Sequence, residues 1–406
     1  MTTPESMLII GGGLTGATAA FALRERGFDG PLTLIGEEAE LPYERPPLSK
    51  GYLRGEEPIE KAHVRPLADY EAQQIELVRG RRAMTLDTAT RRVSLDDGWE
   101  LGYGSLLLAT GAAPRHLNST RAYLPGVRYL RTAQDADDLR AASETAERIA
   151  VIGGGWVGSE SAASLRQLGH DVTLISNLPR PLERVLGPEV AQVYALLHLE
   201  HGVHMVHGRV AAIEGGDRVD GVRLADGQNI PADLVVVGVG AAPRIELATR
   251  GGLETIDGAI KVDALLRTSA PGVFAAGDVA AAWHPGFGRH LRVEHWDNAI
   301  HQGRAAAASM LGVGEPYART PYFYSDQYDL GMEYRGIAMS WDSVVIRGDL
   351  AAREFHAFWL SGGRVVAAMN ANLWDDGDEL LRLVESDVAV DPARLADGVV
   401  PLGEAA

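Results

Sequence analysis

Two glycine-rich hexapeptides carry the clearest chemistry in this sequence, GGGLTG at residues 11–16 and GGGWVG at residues 153–158. Each follows a short apolar run typical of a buried parallel strand and precedes a run typical of a helix. A glycine turn between a strand and a helix presents backbone N–H groups and the positive end of a helix dipole, which suit a pyrophosphate. The sequence therefore predicts two dinucleotide sites, and a chain with two such sites usually passes electrons between them.

The first glycine turn (residues 11–16) has every element that such a site needs. Residues 7–10 predict the strand before it, residues 17–26 a helix, and residues 32–35 the next strand. Glu37 follows that strand, about 20 residues beyond the last glycine, where a carboxylate can accept hydrogen bonds from both hydroxyls of a ribose. A purely structural glycine turn would explain neither this acid nor the repeat described next.

The same order recurs around the second glycine turn (residues 153–158). Residues 149–152 predict a strand, a helix extends to about residue 168, and residues 172–175 predict another strand. A second pair of similar segments follows, LLLATGAAPR at 106–115 and VVVGVGAAPR at 235–244, each preceded by an Asp-Gly hairpin signal. The chain therefore contains two similar nucleotide-binding domains.

The second site lacks the acid of the first. Ser176 and Asn177 stand at the end of its second strand, and neutral side chains there remove the repulsion that excludes a 2′-phosphate. Arg180 and Arg184 lie just downstream and are either solvated, turned to a partner, or available to pair with such a phosphate. The site is expected to bind a nicotinamide nucleotide, with NADH and NADPH both open.

Composition narrows the class of protein. The 406 residues are 46% hydrophobic and 23% charged, which is typical of a soluble globular protein, and no run of 18 apolar residues predicts a membrane span. The polar start MTTPES is no secretory signal, so we expect a cytoplasmic protein. A net charge of −17 argues against nucleic acid and anionic membranes as partners. With no cysteine, disulfide, thiol and Cys-ligated metal chemistry are excluded.

The remaining segments supply structure. Residues 272–279 predict a further strand, residues 297–310 a helix, and the last ~85 residues a separate α+β domain around an antiparallel sheet. Four histidines recur every third residue, but a helix end at Gly202 would separate them, so we expect no metal site. These are His198, His201, His204 and His207.

Four further motifs carry a resemblance: ERPPLSK at 44–50, AAGDV at 275–279, RVEHWDNA at 292–299 and PYFYSDQY at 321–328. Together they resemble the FAD-dependent ferredoxin reductases of bacterial cytochrome P450 and ring-hydroxylating dioxygenase systems. The resemblance covers nearly the whole chain. It implies an α/β, glutathione reductase-like fold with two Rossmann-like domains and a C-terminal α+β domain.

The resemblance also implies domain bounds and site residues. The FAD domain would be split into 1–112 and 241–319, with an NAD(P)H domain at 113–240 and a C-terminal domain at 320–406. Lys50 and Glu160 would be the catalytic residues. The implied cofactor-binding residues are Gly11, Gly13, Leu14, Thr15, Gly16, Glu37, Arg45, Lys50, Ala83, Ala109, Thr110, Gly111, Arg131, Gly153, Gly155, Trp156, Val157, Gly158, Glu160, Ser176, Gly240, Gly277, Asp278, Glu294, His295 and Trp296.

Several of these residues have a plainer interpretation beside the implied one. Lys50 would lie near the flavin ring, but it also suits a surface lysine after a Pro-Pro turn. Glu160 would tether Lys50, yet a helix dipole alone favours a carboxylate there. Asp278 would contact FAD and also suits a helix N-cap. Two departures from the family matter: Ser176 replaces an acid common in NADH-using members, and Tyr324 stands where many have Trp.

The implied reaction moves electrons from NAD(P)H through FAD to a 2Fe–2S ferredoxin that serves a cytochrome P450 or a ring-hydroxylating oxygenase. Because a ferredoxin is typically acidic and this chain is too, docking would need a basic patch. Its candidates, each of which also suits an ordinary surface or intramolecular pair, are Arg65, Arg289, Arg292 and above all Arg304. Alternatives are a monodehydroascorbate reductase, an NADH oxidase, or an FAD-binding redox sensor like apoptosis-inducing factor. The protein is expected to be a monomer or weak dimer.

Overall fold

The computed structural model describes residues 4–119 and 121–405, which form two compact units. The first unit comprises Met1–Pro46, Pro58–Ala113 and Ala241–Arg319, and the second comprises Pro47–Glu57, Pro114–Gly240 and Thr320–Ala406. Within the described residues, no helix is both long enough and apolar enough to span a bilayer.

A parallel five-stranded sheet forms the centre of the first unit. In spatial order its strands are Val273–Ala275, Ser105–Leu108, Met7–Ile10, Leu32–Gly36 and Glu76–Arg79. The inner strands are mostly apolar and every residue in them is buried, as expected for strands covered on both faces. Helix Leu14–Glu25 packs against helix Trp296–Met310, and Gly303 allows the close approach because a Cβ there would lie 2.7 Å from the carbonyl oxygen of Thr15.

Two smaller sheets complete the first unit. One is antiparallel, with strands Ala83–Asp87, Arg92–Leu95 and Glu100–Gly102. The other contains Thr255–Ile256, Ala259–Val262, Ala280–His284 and Arg289–Leu291. The short helices are Leu67–Ala72 and Glu246–Arg250, with 3₁₀ turns at Ile59–Lys61 and Gly277–Val279.

The second unit repeats the parallel sheet and adds an antiparallel one. Its parallel strands, in spatial order, are His204–His207, Asp171–Ser176, Arg148–Ile152, Leu234–Val237 and Val127–Tyr129. Its helices here are Ala133–Ser143, Trp156–Gln167 and Glu183–Glu200, and a three-stranded sheet holds Val210–Gly215, Val219–Leu224 and Asn229–Pro231. Short strands Ala112–Pro114 and Ala241–Pro243 and the 3₁₀ turn Pro46–Ser49 lie where the chain passes between units.

The C-terminal part of the second unit is an antiparallel five-stranded sheet. Its strands, in spatial order, are Tyr322–Gln327, Leu330–Gly336, Arg364–Ala371, Glu354–Ser361 and Ser343–Asp349. Helices Gly377–Glu385 and Pro392–Ala396 and the 3₁₀ turn Leu402–Glu404 follow. One buried cluster joins this sheet to helix Glu183–Glu200, with Tyr194 and Trp359 fully enclosed. The α/β class predicted from the sequence, with two Rossmann-like sheets and a C-terminal α+β part, is confirmed.

Candidate functional site

The first glycine turn is shaped by backbone that passes close to backbone. A Cβ added to Gly16 would lie 2.0 Å from the carbonyl oxygen of Gly11, so only glycine allows the helix to start here. Gly13 is the N-cap of helix Leu14–Glu25, no side chain caps that helix, and a Cβ on Gly13 would meet nothing within 4 Å. The turn therefore leaves space and N–H donors for a pyrophosphate, and it fits a dinucleotide cofactor.

Glu37 follows the second strand, as predicted, and its carboxylate is held by arginine. Arg244 donates a hydrogen bond to Oε2 of Glu37 at 2.5 Å, and Arg82 lies 3.8 Å from Oε1. Arg244 is itself fixed, because Thr110 donates to its carbonyl at 2.8 Å and its N–H donates to Gly111 at 2.9 Å. Ala83 begins the strand next to Arg82. Sequence reasoning gave Arg244 no role, although it closes the second of the two similar segments.

Arg45 is a basic residue of the first unit that contacts Glu38 and Tyr43. It donates to Glu38 at 2.9 Å and to the Tyr43 hydroxyl at 3.2 Å, and Tyr43 in turn donates to Glu38. Burial works to lower the pKa of Arg45, but Tyr43, Glu38 and Asp278 more than offset it and raise that pKa. Arg45 thus remains a guanidinium beside Asp278, and a guanidinium is suited to a phosphate.

Asp278 lies within a 3₁₀ turn of the first unit, and Trp296 lies at the start of a helix of the same unit. Asp278 sits in the 3₁₀ turn Gly277–Val279, so the alternative of a helix N-cap is wrong for it. The N–H of Gly277 donates to the buried Gln302 side chain at 2.8 Å. Trp296 begins helix Trp296–Met310, whose N-cap is His295.

The acids beside this helix start differ in their surroundings. Burial raises the pKa of Glu44, and hydrogen bonding by Trp296 opposes that shift. Glu294 is exposed and pairs with Arg292. Glu44 therefore accepts a hydrogen bond from Trp296, whereas Glu294 is committed to its arginine.

The second glycine turn repeats the geometry of the first. A Cβ on Gly158 would lie 1.9 Å from the carbonyl oxygen of Gly153, and Gly155 is an N-cap with no atom within 4 Å of such a Cβ. Trp156 opens the helix and packs against Phe323 with ring centroids 5.0 Å apart, whereas Val157 is exposed. Gly240 has a left-handed backbone (φ 104°) beyond strand Leu234–Val237. This turn also fits a dinucleotide.

Glu160, one turn into this helix, is buried and fully engaged. Lys50 Nζ lies 2.7 Å from its Oε2, which also accepts a hydrogen bond from Ser49 Oγ at 2.5 Å. Ser325 Oγ donates to Oε1 at 2.7 Å. Ser164 donates to the carbonyl of Ser49 at 2.6 Å and so fixes that segment. The structure brings together the predicted Lys50 and Glu160; Ser49 and Ser325, inside quoted motifs, were missed because nothing local marks them.

Other predicted residues have partners of their own. Ser176 is buried at the strand end, and its Oγ accepts from Leu178 N–H at 3.1 Å. Arg180 donates to Gln192 at 2.6 Å and to Glu183 at 3.3 Å, so it is engaged within the protein. Arg131 donates its backbone N–H to Asp135, beside the N-cap of helix Ala133–Ser143.

The four histidines have separate partners. His198 is buried and contacts Gln327 at 3.1 Å, His201 stacks on Tyr328, and His204 lies 3.3 Å from Asp171. His207 is exposed. Across residues 4–119 and 121–405, no group of three or more potential ligands could hold a metal ion.

The candidate docking arginines all belong to the first unit. Arg65 lies over the Phe21 ring at 5.7 Å, and Arg304 is 4.0 Å from Glu25. Arg65, Arg289 and Arg304 are exposed, whereas Arg292 pairs with Glu294. Arg304 keeps only a 4.0 Å contact with Glu25, so its charge is less committed than that of Arg292, which pairs closely with Glu294.

Comparison with known proteins places these sites in a family. The model of pyridine nucleotide-disulphide oxidoreductases matches residues 5–303, and the reductase C-terminal model matches residues 322–406. The ferredoxin–NAD(+) reductase component of the anthranilate 1,2-dioxygenase system of Burkholderia cepacia is 41% identical over 98% of both chains.

Two solved structures resemble the whole chain. A ferredoxin reductase from Rhodopseudomonas palustris has a TM-score of 0.95 at 38% identity, covering 99% of this chain and 100% of that one. The reductase in a covalent putidaredoxin reductase–putidaredoxin complex has a TM-score of 0.94 at 36% identity, covering 99% and 98%. The predicted resemblance and oxidoreductase class are confirmed. The chain belongs to the pyridine nucleotide-disulphide oxidoreductase family and, within it, to the ferredoxin reductases.

Proposed function

We propose that this protein takes electrons from NAD(P)H and passes them through FAD to a 2Fe–2S ferredoxin that supplies a cytochrome P450 or a ring-hydroxylating oxygenase. The observation that carries the proposal is the pair of matching glycine turns, one in each unit, in a chain without cysteine. FAD and NAD(P)H as cofactors, and a ferredoxin as partner, agree with the family. The protein would act in the cytoplasm, where nicotinamide nucleotides are available, as a monomer or weak dimer.

The first unit would hold FAD. The N–H groups of the first glycine turn would bind the pyrophosphate, Glu37 the adenosine ribose and Arg45, beside Asp278, a phosphate. When bound, the flavin supplies the conversion of a hydride into single electrons. The residues implied at the flavin, Glu294, His295 and Trp296, surround the start of one helix.

The second unit would hold the nicotinamide nucleotide on the second glycine turn, with Gly153, Gly155 and Gly158 shaping the phosphate cradle. Lys50 would stabilise negative charge on the reduced flavin, and Glu160 would keep its ammonium in place. Neither residue needs to act as a nucleophile. Both residues act through their charges. The Ser49 and Ser325 hydroxyls donate hydrogen bonds to the Glu160 carboxylate and so hold it in place.

Ferredoxin would dock on the first unit at Arg304. The exposed Arg65 and Arg289 of the same unit would add positive charge. A local basic patch is needed because the chain carries a net charge of −17.

The test uses the purified holoprotein. It should be yellow, reduce ferricyanide with a nicotinamide nucleotide, and reduce cytochrome c rapidly only after a 2Fe–2S ferredoxin is added. Equally rapid cytochrome c reduction without ferredoxin would contradict the proposal and favour an oxidase-like or sensor function. A colourless protein that takes up no FAD on reconstitution would contradict the cofactor assignment itself.

A further inference from the structure

The nicotinamide nucleotide site ends at a strand that carries no acid. The repeat aligns LTLIGE at residues 32–37 with VTLISN at residues 172–177, so Asn177 stands where Glu37 stands in the first unit. The alignment holds in space, because a Cβ on Gly12 would approach Gly36 at 2.9 Å and one on Gly154 would approach Ser176 at 2.8 Å. Ser176 therefore lies directly against the second glycine turn.

Ser176 offers a hydrogen where an acid would offer only lone pairs. Its Oγ accepts from the N–H of Leu178 at 3.1 Å, and its hydroxyl keeps a hydrogen that it can donate. A ribose 2′-hydroxyl is recognised by an acceptor, whereas a 2′-phosphate carries only acceptor oxygens at neutral pH. The residue thus suits the phosphate better than the hydroxyl.

The segment after Ser176 folds back on the glycine turn and carries the basic residues with it. Leu182 N–H donates to the Gly154 carbonyl at 2.7 Å, and Pro181 Cα lies 3.2 Å from the position of a Gly154 Cβ. Glu183 is the only acid between residues 176 and 184, and Arg180 neutralises it at 3.3 Å. Arg184 is exposed and makes no ion pair within the part of the chain that the structure describes.

The neighbouring strand adds a second basic edge. His207 pairs in register with Ser176, and the next residue, Gly208, donates its N–H to the Ser176 carbonyl at 2.8 Å. His207 and Arg209 are both exposed at the end of this strand. Ser176 is thus followed in sequence by the exposed Arg184, and it pairs with a strand end that carries the exposed His207 and, two residues on, Arg209; these basic side chains suit an anion.

We infer that the second dinucleotide site accepts NADPH, with the 2′-phosphate bound by the Ser176 hydroxyl, Arg184 and the His207–Arg209 edge. The inference rests on the proposed function, because it concerns the nucleotide that feeds the flavin. Arg180 is a positioning residue in this arrangement: it cancels the charge of Glu183, which would otherwise repel the phosphate.

The direct test compares two adenosine fragments on the holoenzyme, 2′,5′-ADP and 5′-AMP, which differ only in the 2′-phosphate, by titration calorimetry at low ionic strength. We expect 2′,5′-ADP to bind several-fold more tightly, with the difference shrinking as KCl is raised because the added contact is electrostatic. Equal or tighter binding of 5′-AMP would overturn the inference. The fragments carry no nicotinamide, so the outcome does not depend on electron transfer.

The variant test measures the ratio of kcat/KM for NADPH to that for NADH. Ser176→Asp should lower this ratio at least about tenfold, since it introduces an acceptor-only carboxylate, and Arg184→Ala should lower it several-fold. Arg223→Ala, which removes an arginine paired with Glu214 in the separate three-stranded sheet, should leave the ratio unchanged. Unchanged ratios in the first two variants would contradict the assignment. If no nucleotide supports ferredoxin reduction at all, the proposed function fails instead, whichever fragment binds better.

Discussion

Ser325 donates a hydrogen bond to one oxygen of Glu160, the oxygen that Lys50 does not approach, across 165 positions of sequence. The C-terminal strand therefore fixes the carboxylate that holds Lys50. Because Glu160 is buried, removing the Ser325 hydroxyl leaves Oε1 unsatisfied, which costs about 1–3 kcal/mol, whereas Oε2 keeps the Ser49 hydrogen bond if Lys50 is removed.

The first prediction concerns this contact. Glu160→Gln should slow flavin reduction by the nicotinamide nucleotide at least about tenfold, because Lys50 loses its counter-charge. Ser325→Ala should slow it less, and Ser325→Thr should restore it. Stopped-flow absorbance at the flavin band measures the rate. Ser343→Ala, an exposed serine of the same sheet, is the control. A Ser325→Ala rate equal to that of the wild type would show that the bond does not serve the reaction.

The two glycine turns allow a paired prediction. Gly16→Ala and Gly158→Ala each place a methyl group about 2 Å from a carbonyl oxygen, so each should disable its own turn. We expect Gly16→Ala to be isolated without FAD. Gly158→Ala should keep its yellow colour and FAD stoichiometry but show at least about tenfold weaker nucleotide binding. If both variants lost FAD equally, the assignment of one cofactor to each turn would be wrong.

The strands and the helix around the first glycine turn could be predicted from the sequence, because burial dictates their composition. Parallel strands buried on both faces must be apolar runs, and strands Met7–Ile10 and Leu32–Gly36 were found within one residue of their predicted bounds. Helix Leu14–Glu25 begins three residues before the predicted position, because Gly13 caps it without a side-chain signal.

Side-chain hydrogen bonds between residues far apart in the sequence could not be predicted from local patterns. The Ser49–Glu160 bond joins residues 111 positions apart and the Arg244–Glu37 bond residues 207 apart. A serine or arginine has no local pattern that names such a partner. The sequence likewise did not show whether Arg180 is solvated or bound within the protein. Its hydrogen bond to Gln192, on the following helix, is visible only in the structure.

Arg244 gives a third prediction. Arg244→Ala should raise the dissociation constant of FAD about fivefold to tenfold, because Glu37 loses the donor that orients it toward the ribose. Fluorescence titration of the apoprotein with FAD measures the constant. Arg267→Ala, which breaks an exposed ion pair with Asp263 in the same unit, provides the comparison. Identical FAD affinity in both variants would remove Arg244 from the site.

Docking gives a fourth prediction. Arg304→Glu should raise the KM for ferredoxin at least about fivefold, and the effect should fade at high salt. Ferricyanide reduction should not change, because that small acceptor needs no docking surface. Arg267→Glu supplies a charge reversal of the same size elsewhere in the unit. Parallel losses with ferricyanide and ferredoxin would place the defect in the flavin site rather than in docking.

His198 gives a prediction on stability. Burial lowers the pKa of His198 to about 4 in the folded protein, against about 6.5 in the unfolded chain. The folded form therefore binds fewer protons, so this residue's contribution is complete above pH 6.5 and declines as the pH falls toward 4. We expect a loss of about 2 kcal/mol between pH 7 and pH 5, seen by urea unfolding.

A matched pair of variants isolates that contribution. His198→Gln should flatten this part of the pH dependence, whereas His204→Gln, at an exposed position, should not. An unaltered slope in His198→Gln would assign the acid sensitivity to other groups.

The division of each unit into three separate stretches of chain constrains the order of events on the ribosome. Strand Met7–Ile10 emerges early, yet the edge strand Val273–Ala275 of its sheet is translated much later. The second unit closes only with the residues after Thr320. The apolar strands of each incomplete sheet therefore remain without their partners through most of synthesis. Prematurely terminated copies expose these strands and are targets for chaperones and proteases.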